Sequence, residues 1–402
     1  MLVSKHQTSS DMSKGQAKLS SHPLWLVGFR PFFLLACLSG LSLPVLWALF
    51  FTGELAAPKT SFSAMQWHAH EMFFGFGWAV LGGFLLTSTK NWVKVRGYYG
   101  NALKFLVAAW LFERTGMWFE GGWPRWLFLL SNNLFIGSIV MMLCWTLIRH
   151  RKDDAYRDNI LFLLVLPTFL VAKHLMLSAE YAQIGWSMTL GLFRVAFLVM
   201  LVRTLAQFMK AAFNVGILQN PVLNKAIMLL GLLMVFESLM PAQVSGWIAL
   251  LLALLLTGRF MFWKPQLAVQ RLDVGVMYLG YIAIIAQLLF EFGRHTLHPE
   301  WALSTSMHIF TFGAMGLIIP GMLVRISKGH TGRKVVFDAL DKLVLWAMLL
   351  AFLLRIVAPQ IYPAAYAYWI HLAACCWFIC FSVLAWRYIP MLMQPRVDGK
   401  EH

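Results

Sequence analysis

The sequence is short of charge. Only 12% of its 402 residues are Asp, Glu, Lys or Arg, against about 25% in soluble globular domains. Acids are the scarcer sign, 17 against 33 Lys and Arg. Such a chain cannot supply the polar surface of a soluble enzyme or the charge of a disordered regulator. Cysteine is also rare. Cys37, Cys144, Cys375, Cys376 and Cys380 all lie in apolar segments, where they read as small hydrophobes rather than as a disulfide scaffold. Cys376 and Cys380 share a helix face, but a thiolate site is the less favoured reading. No Gly-x-x-x-x-Gly-Lys-Ser/Thr phosphate loop is present. The polar stretch 1–21 lacks the apolar centre of a signal peptide, so it reads as a cytoplasmic tail.

What the chain has is apolar length. Hydrophobic residues make up 60% of it, about 241 residues, and a membrane-spanning helix uses roughly 20. The expected fold is an all-α polytopic transmembrane helical bundle of about twelve helices. The expected spans are 29–51, 68–89, 101–119, 125–148, 159–178, 184–207, 223–240, 243–263, 273–292, 301–324, 339–357 and 363–387. They form one membrane domain, 29–387, between a polar N-terminal tail (1–28) and a short C-terminal tail (388–402). Helices are expected throughout, because a lone strand in hydrocarbon leaves its backbone unpaired.

Charge tests that count independently. Of the 33 Lys and Arg, 26 fall in the tails and every second loop. Only Lys59, Arg125 and Arg294 fall in the alternate loops. The positive-inside rule then places both termini in the cytoplasm, which also accounts for the net charge of +16 without any nucleic-acid partner. The lipid bilayer is the partner expected first.

The remaining cations, Arg114, Lys173, Arg194 and Arg355, lie inside spans together with Glu113 and Glu237. Intramembrane ionisable groups are costly and mark functional sites by default; snorkelling or a structural ion pair is the plainer alternative. Five histidines join them: His68 and His70 on helix 2, His174 on helix 5, His308 on helix 10 and His371 on helix 12. At about 1.5 Å per residue, His308 and His371 lie roughly 12 Å below the outer surface, His174 roughly 9 Å and His70 roughly 8 Å. Four helices therefore carry histidine at one depth in the outer half, and Glu71, Glu113, Arg114, Lys173, Glu237 and Arg355 fall in or near that layer. Imidazoles converging inside a helical bundle are a way to build a metal or haem site; separately hydrogen-bonded core histidines are the alternative.

On a regular helix His68 and His70 point about 200° apart and serve different sites. If the helix starts only at His70, they share a face and can chelate together. At spacing i, i+3, Glu71 could orient His68. The run Ser327-Lys328-Gly329-His330-Thr331-Gly332-Arg333 reads as a positive turn after helix 10, or as a cradle for an anionic group. Arg30, Arg325 and Arg333 are candidates to pair with such a group if a cofactor reaches the cytoplasmic side.

Three segments resemble the NnrS family of bacterial membrane proteins. They are Gly28-Phe29-Arg30-Pro31-Phe32-Phe33-Leu34-Leu35-Ala36; then Trp67-His68-Ala69-His70-Glu71-Met72, followed by Gly75-Phe76, Gly83-Phe84-Leu85-Leu86-Thr87 and Asn91-Trp92; and finally Gly329-His330-Thr331-Gly332-Arg333. Their order matches from about Gly28 to Arg387. The resemblance implies a twelve-helix inner-membrane protein containing haem and copper, with nitric oxide or a related small molecule as partner. Its role would lie in nitric oxide metabolism, or in nitrosative-stress resistance in denitrifying and related bacteria. It implies no ligand assignment.

His70, His308 and His371 are the first candidates for cofactor and metal ligands, with His68 and His174 next. The haem would be b-type and non-covalent, since no Cys-x-x-Cys-His run exists, and copper would take the remaining imidazoles. The sequence names no catalytic residue and no electron donor, and leaves enzymatic turnover open. A haem–copper oxidase or nitric oxide reductase is disfavoured. No adjacent His-His pair is present, and His298-Pro299-Glu300 is followed by Trp301 in an outer loop. The alternative function is a twelve-helix transporter of a metal, haem or small solute, for which Arg194 near the midplane would mark the substrate site.

Overall fold

The computed structural model describes residues 22–400. The tail expected over 1–28 therefore lies largely outside the described residues. Among the described residues no strand occurs and twelve long helices account for the chain. They are α1 Phe29–Thr52, α2 Ala64–Val93, α3 Asn101–Phe119, α4 Arg125–Arg149, α5 Arg157–Leu177, α6 Ala182–Phe213, α7 Pro221–Leu239, α8 Ala242–Met261, α9 Leu272–Thr296, α10 Leu303–His330, α11 Ala339–Ile361 and α12 Pro363–Leu392. Eleven of these are long and apolar enough to cross a membrane. The other, α3, has 19 residues but carries Lys104, Glu113 and Arg114, which lower its apolarity.

Local chemistry sets the ends. Ser63 caps α2 and exchanges a reciprocal pair of bonds with Gln66; Asp338 and Asp341 do the same for α11. Each pair satisfies N–H groups that a helix start leaves open. Gly53 ends α1 at φ 77°, a left-handed conformation that costs glycine little. α10 runs through His330 rather than ending near 324, so the glycine-containing run is the last helical turn and its cap. There Thr331 Oγ1 donates to the Ser327 carbonyl at 2.6 Å.

The two described ends lie on one face. Gly100 N–H, before α3, donates to the Trp25 carbonyl, and Val397 N–H donates to the Thr331 carbonyl after α10. This is the face that holds most of the loop lysines and arginines, here called the basic face. The opposite face is tied by Gln66 to the Met176 and Ser178 carbonyls and by Ser61 to Glu120.

α1 packs along α12, α3 along α4, α5 along α6 and α8 along α9. The closest of these approaches needs a glycine. A Cβ on Gly185 of α6 would stand 2.1 Å from the Met176 nitrogen of α5. Large apolar side chains such as Met141, Trp145 and Trp386 remain exposed, as suits helices facing lipid. Three helices carry a π-helical stretch: Glu71–Gly77 in α2, Thr311–Met315 in α10 and Leu353–Val357 in α11. Such bulges often accompany functional sites, and here two of them begin within a turn of a candidate histidine.

Candidate functional site

The histidines do not converge on one site. They divide among separate surroundings, and α2 makes the first division. It is helical from Ala64 onward, so His68 and His70 point to different faces and do not chelate together.

His70 enters a buried polar network between α2, α3, α4 and α5. Asn132 Nδ2 donates to its Nε2 at 3.2 Å, and its Nδ1 lies 3.4 Å from Glu71 Oε1. Glu113 Oε1 is 3.5 Å from Nε2. Lys173 donates to Glu113 and to the Asn132 carbonyl. Arg114 flanks the carboxylates, 3.4 Å from Glu71 and 3.3 Å from Glu113. His70, Glu113 and Lys173 are fully buried. Two acids facing two cations is the arrangement that lets charge persist away from water. Both ring nitrogens of His70 face protein partners, so its lone pair is already engaged. Glu71, expected beside His68, sits with His70 and Arg114 instead, because the helix passes into its π-helical stretch at that residue.

His174 leaves this network, and its Nε2 donates to Asn133 Oδ1 at 2.8 Å on an exposed face. His371 lies 3.4 Å from Glu54 at the mouth of the opposite face, its side chain 32% exposed. Neither bonds to another histidine among the described residues.

His68 and His308 do share a cavity. They line one cavity of about 190 Å³ that opens toward the opposite face, walled by α1, α2, α10, α11 and α12. The His68 ring stacks on Trp47 at 4.2 Å, and its buried Nδ1 has no partner. His308 Nδ1 donates to the Ser304 carbonyl at 2.6 Å. That bond fixes the tautomer and leaves the Nε2 lone pair as the one ligand position; Arg355 Nη2 donates toward it at 3.4 Å, a contact that a bound metal displaces. Four methionines, Met65, Met72, Met307 and Met315, share the lining. Arg355 brings the one charge, its Nη2 3.4 Å from both His308 nitrogens, and its guanidinium lies 5.4 Å from the Tyr366 ring centre. Neutral imidazoles with thioethers form a soft, uncharged donor set, suited to copper(I) more than to a hard dication. The nearby guanidinium reinforces that preference, since each extra positive charge on the metal is repelled.

Two further groupings stand apart. Glu237 of α7, fixed by Ser187 at 2.6 Å, meets Glu291 and His295 of α9, with one ligand atom from each within 4.8 Å of the others. Arg294 pairs with Glu291 at 2.7 Å. Arg194 instead binds Gln287 at 2.8 Å. Glu291 and His295 have no counterpart among the expected site residues. Their i, i+4 spacing was the available signal.

At the basic face, Arg30 donates to the Leu392 and Gln394 carbonyls at 2.6 and 2.7 Å. Arg333 reaches the Gln394 side chain at 3.2 Å. Both hold the C-terminal segment in place. Arg325 pairs with Asp273 at 2.7 Å and lines a second cavity of about 650 Å³. Phe73 and Met315, which line the histidine cavity, abut Gly77 and Phe193, which line the larger one; the Phe73 and Phe193 rings are 5.3 Å apart.

Comparison with known proteins agrees with this architecture. The family model described as "NnrS protein" matches residues 23–396, nearly all of the described chain, while no match is found among curated proteins. The chain belongs to the NnrS family, a membership that points to a nitric-oxide-linked membrane protein.

Proposed function

We propose that this protein binds copper in the His68–His308 cavity and acts, with haem, in nitric oxide metabolism or nitrosative-stress resistance at the bacterial inner membrane. The termini are taken as cytoplasmic, by the positive-inside rule. The observation that carries the copper assignment is the buried, unpartnered Nδ1 of His68 in the same cavity as a tautomer-fixed His308. A buried imidazole nitrogen without a partner costs free energy unless something binds it. Copper bound there would supply a site for a diatomic ligand and for one-electron chemistry.

The chain's own part is then definable. His68 and His308 orient donors. Trp47 holds the His68 ring in place. The apolar wall of Phe73, Phe76, Phe312 and Trp377 keeps water scarce and admits a small, weakly polar molecule. Arg355 is placed to donate to an oxygen that gains negative charge, the role of a fixed cation in a dry site.

Haem fits less well. Pockets for drug-sized ligands measure about 300–1,000 Å³, so a cavity of 190 Å³ takes an ion and a diatomic molecule but not a macrocycle as the helices stand. No step is assigned to haem here.

The test is an optical spectrum of detergent-purified protein, oxidised and reduced, with metal analysis of the same sample. Stoichiometric copper supports the reading, and haem bands would place the macrocycle outside the His68–His308 cavity. A colourless, metal-free sample from a haem- and copper-supplied host overturns it. That result would favour transport, for which the abutting cavities on α1, α2, α6 and α10 are the supporting observation. In that reading the septum at Phe73, Phe193 and Met315 is the barrier between them.

A further inference from the structure

The larger cavity has no role in the copper reading, and its shape and charge specify a ligand of their own. Along α2 it is lined from Gly77 to Trp92, and along α6 from Phe193 to Ala211. At 1.5 Å per residue these stretches span about 22 and 27 Å. One leaflet of a bilayer, head groups included, is about 20–22 Å thick. The chamber thus runs from mid-membrane to the basic face over the length of one leaflet lipid. Its deep part is apolar and aromatic, with Phe33, Phe84, Phe193, Phe197 and Ile318.

The mouth is different. A smaller pocket of about 140 Å³ adjoins it and shares Thr87, Asn91, His330 and Arg396 with the chamber. Lys90, Arg96 and the Tyr98 side chain complete that pocket. Neither lining contains an aspartate or glutamate, while Arg203, Arg325 and Arg396 line the chamber. The carboxylates that balance these cations stand behind them: Asp158 on Arg203, Asp273 on Arg325 and Asp398 on Arg396. Arg203 also keeps one guanidinium nitrogen, Nη1, buried and without a partner. Lys90 and Arg96 have no such balancing acid among the described ion pairs. The mouth therefore carries net positive charge at the level where phosphates lie.

We propose that this chamber and its adjoining pocket form a built-in site for one anionic phospholipid of the basic-face leaflet. An acyl chain fills the cleft between α2, α6 and α10, and the head-group phosphate lies on Lys90, Arg96 and Arg396. The charge complementarity decides for an anionic head over a zwitterionic one, and the leaflet length decides for a lipid over a compact solute.

The experiment uses the full chain in mild detergent, with native mass spectrometry and lipid extraction. Wild-type protein is compared with K90Q/R396Q, which removes head-group charge, and with A196F, which places a ring in the chamber wall at a residue outside the copper cavity. Circular dichroism and elution volume of both variants serve as the folding control. One tightly held anionic phospholipid per wild-type chain is expected. Each basic side chain near an anionic lipid is worth enough attraction that losing two predicts roughly thirtyfold weaker retention. A196F should release the lipid while keeping the wild-type elution volume. If A196F fails to fold, the same question is put to wild-type protein by titrating anionic against zwitterionic lipid and reading the melting temperature. Only the anionic lipid should raise it, and K90Q/R396Q should lose most of that rise. Equal retention in wild type and K90Q/R396Q, equal binding of zwitterionic lipid, or a macrocycle displaced by A196F would each overturn the proposal. None of these results bears on copper at His68 and His308.

Discussion

If the His70 network is a closed structural element, breaking its central pair has a defined cost. Lys173 and Glu113 are both fully buried, and Lys173 also serves the Asn132 carbonyl of α4. Removing one partner of such a pair costs about 3–5 kcal/mol, because the other charge stays buried and uncompensated. Lys173→Met should fall near the lower end, about 3 kcal/mol, since Arg114 still stands 3.3 Å from Glu113. Glu113→Gln should cost about 4 kcal/mol, because Lys173 then keeps only weaker neighbours. The double variant removes both charges and should cost no more than the costlier single one, so the coupling energy should be at least about 3 kcal/mol, at the top of the range seen for neighbouring residues. Reversible denaturant unfolding in detergent, followed by circular dichroism, measures all four corners. Additivity within about 0.5 kcal/mol, the behaviour of independent sites, would refute the reasoning. So would single substitutions that cost under about 1 kcal/mol, which is the range of exposed pairs. Copper content should stay unchanged throughout, because His70 is engaged within the network.

Three further outcomes follow from the geometry. His68→Ala and His308→Ala should each abolish stoichiometric copper, whereas His371→Ala, which faces Glu54, should retain it; metal analysis of the purified variants decides. Gly185→Ala gains about 1 kcal/mol of helix propensity, but a Cβ 2.1 Å from backbone forces α5 and α6 apart. A net loss of melting temperature is therefore expected, and a gain would contradict that close approach. Asp338 takes two 2.5 Å bonds from Arg387, which hold its carboxyl below the usual aspartate range. Its contribution is complete above about pH 4, the unfolded value, and is lost as pH falls through the lowered folded value. Asp338→Ala should therefore destabilise by about 1 kcal/mol at neutral pH through the lost cap, with the difference from wild type shrinking in acid.

The twelve helices were legible because hydrocarbon imposes one demand, apolar length, and because the loop charges mark every second connection. Where each histidine falls along its helix was legible for the same reason. Azimuth was not. His371 and His308 have similar calculated depths, yet one turns to Glu54 and the other into a cavity. Rotation about the helix axis depends on which neighbours pack against it, and α2 and α10 shift their own register through π-helical turns. Glu113 and Lys173 were flagged as costly intramembrane charges. Their partner Asn132 gives little signal because an uncharged amide, here beside Asn133, costs far less in an apolar helix than a charge. The methionines of the histidine cavity were hidden by their abundance. With 22 in the chain, composition could not separate Met307 and Met315 from those that merely fill space.

The most direct test of the central claim is X-ray absorption at the copper edge on reduced, copper-loaded protein. The account predicts copper(I) with imidazole nitrogen and thioether sulfur in its first coordination shell, and loss of that signal in the His68→Ala/His308→Ala double variant. Copper held by oxygen and nitrogen donors alone, or a spectrum unchanged in the double variant, would place the metal elsewhere and contradict the assignment.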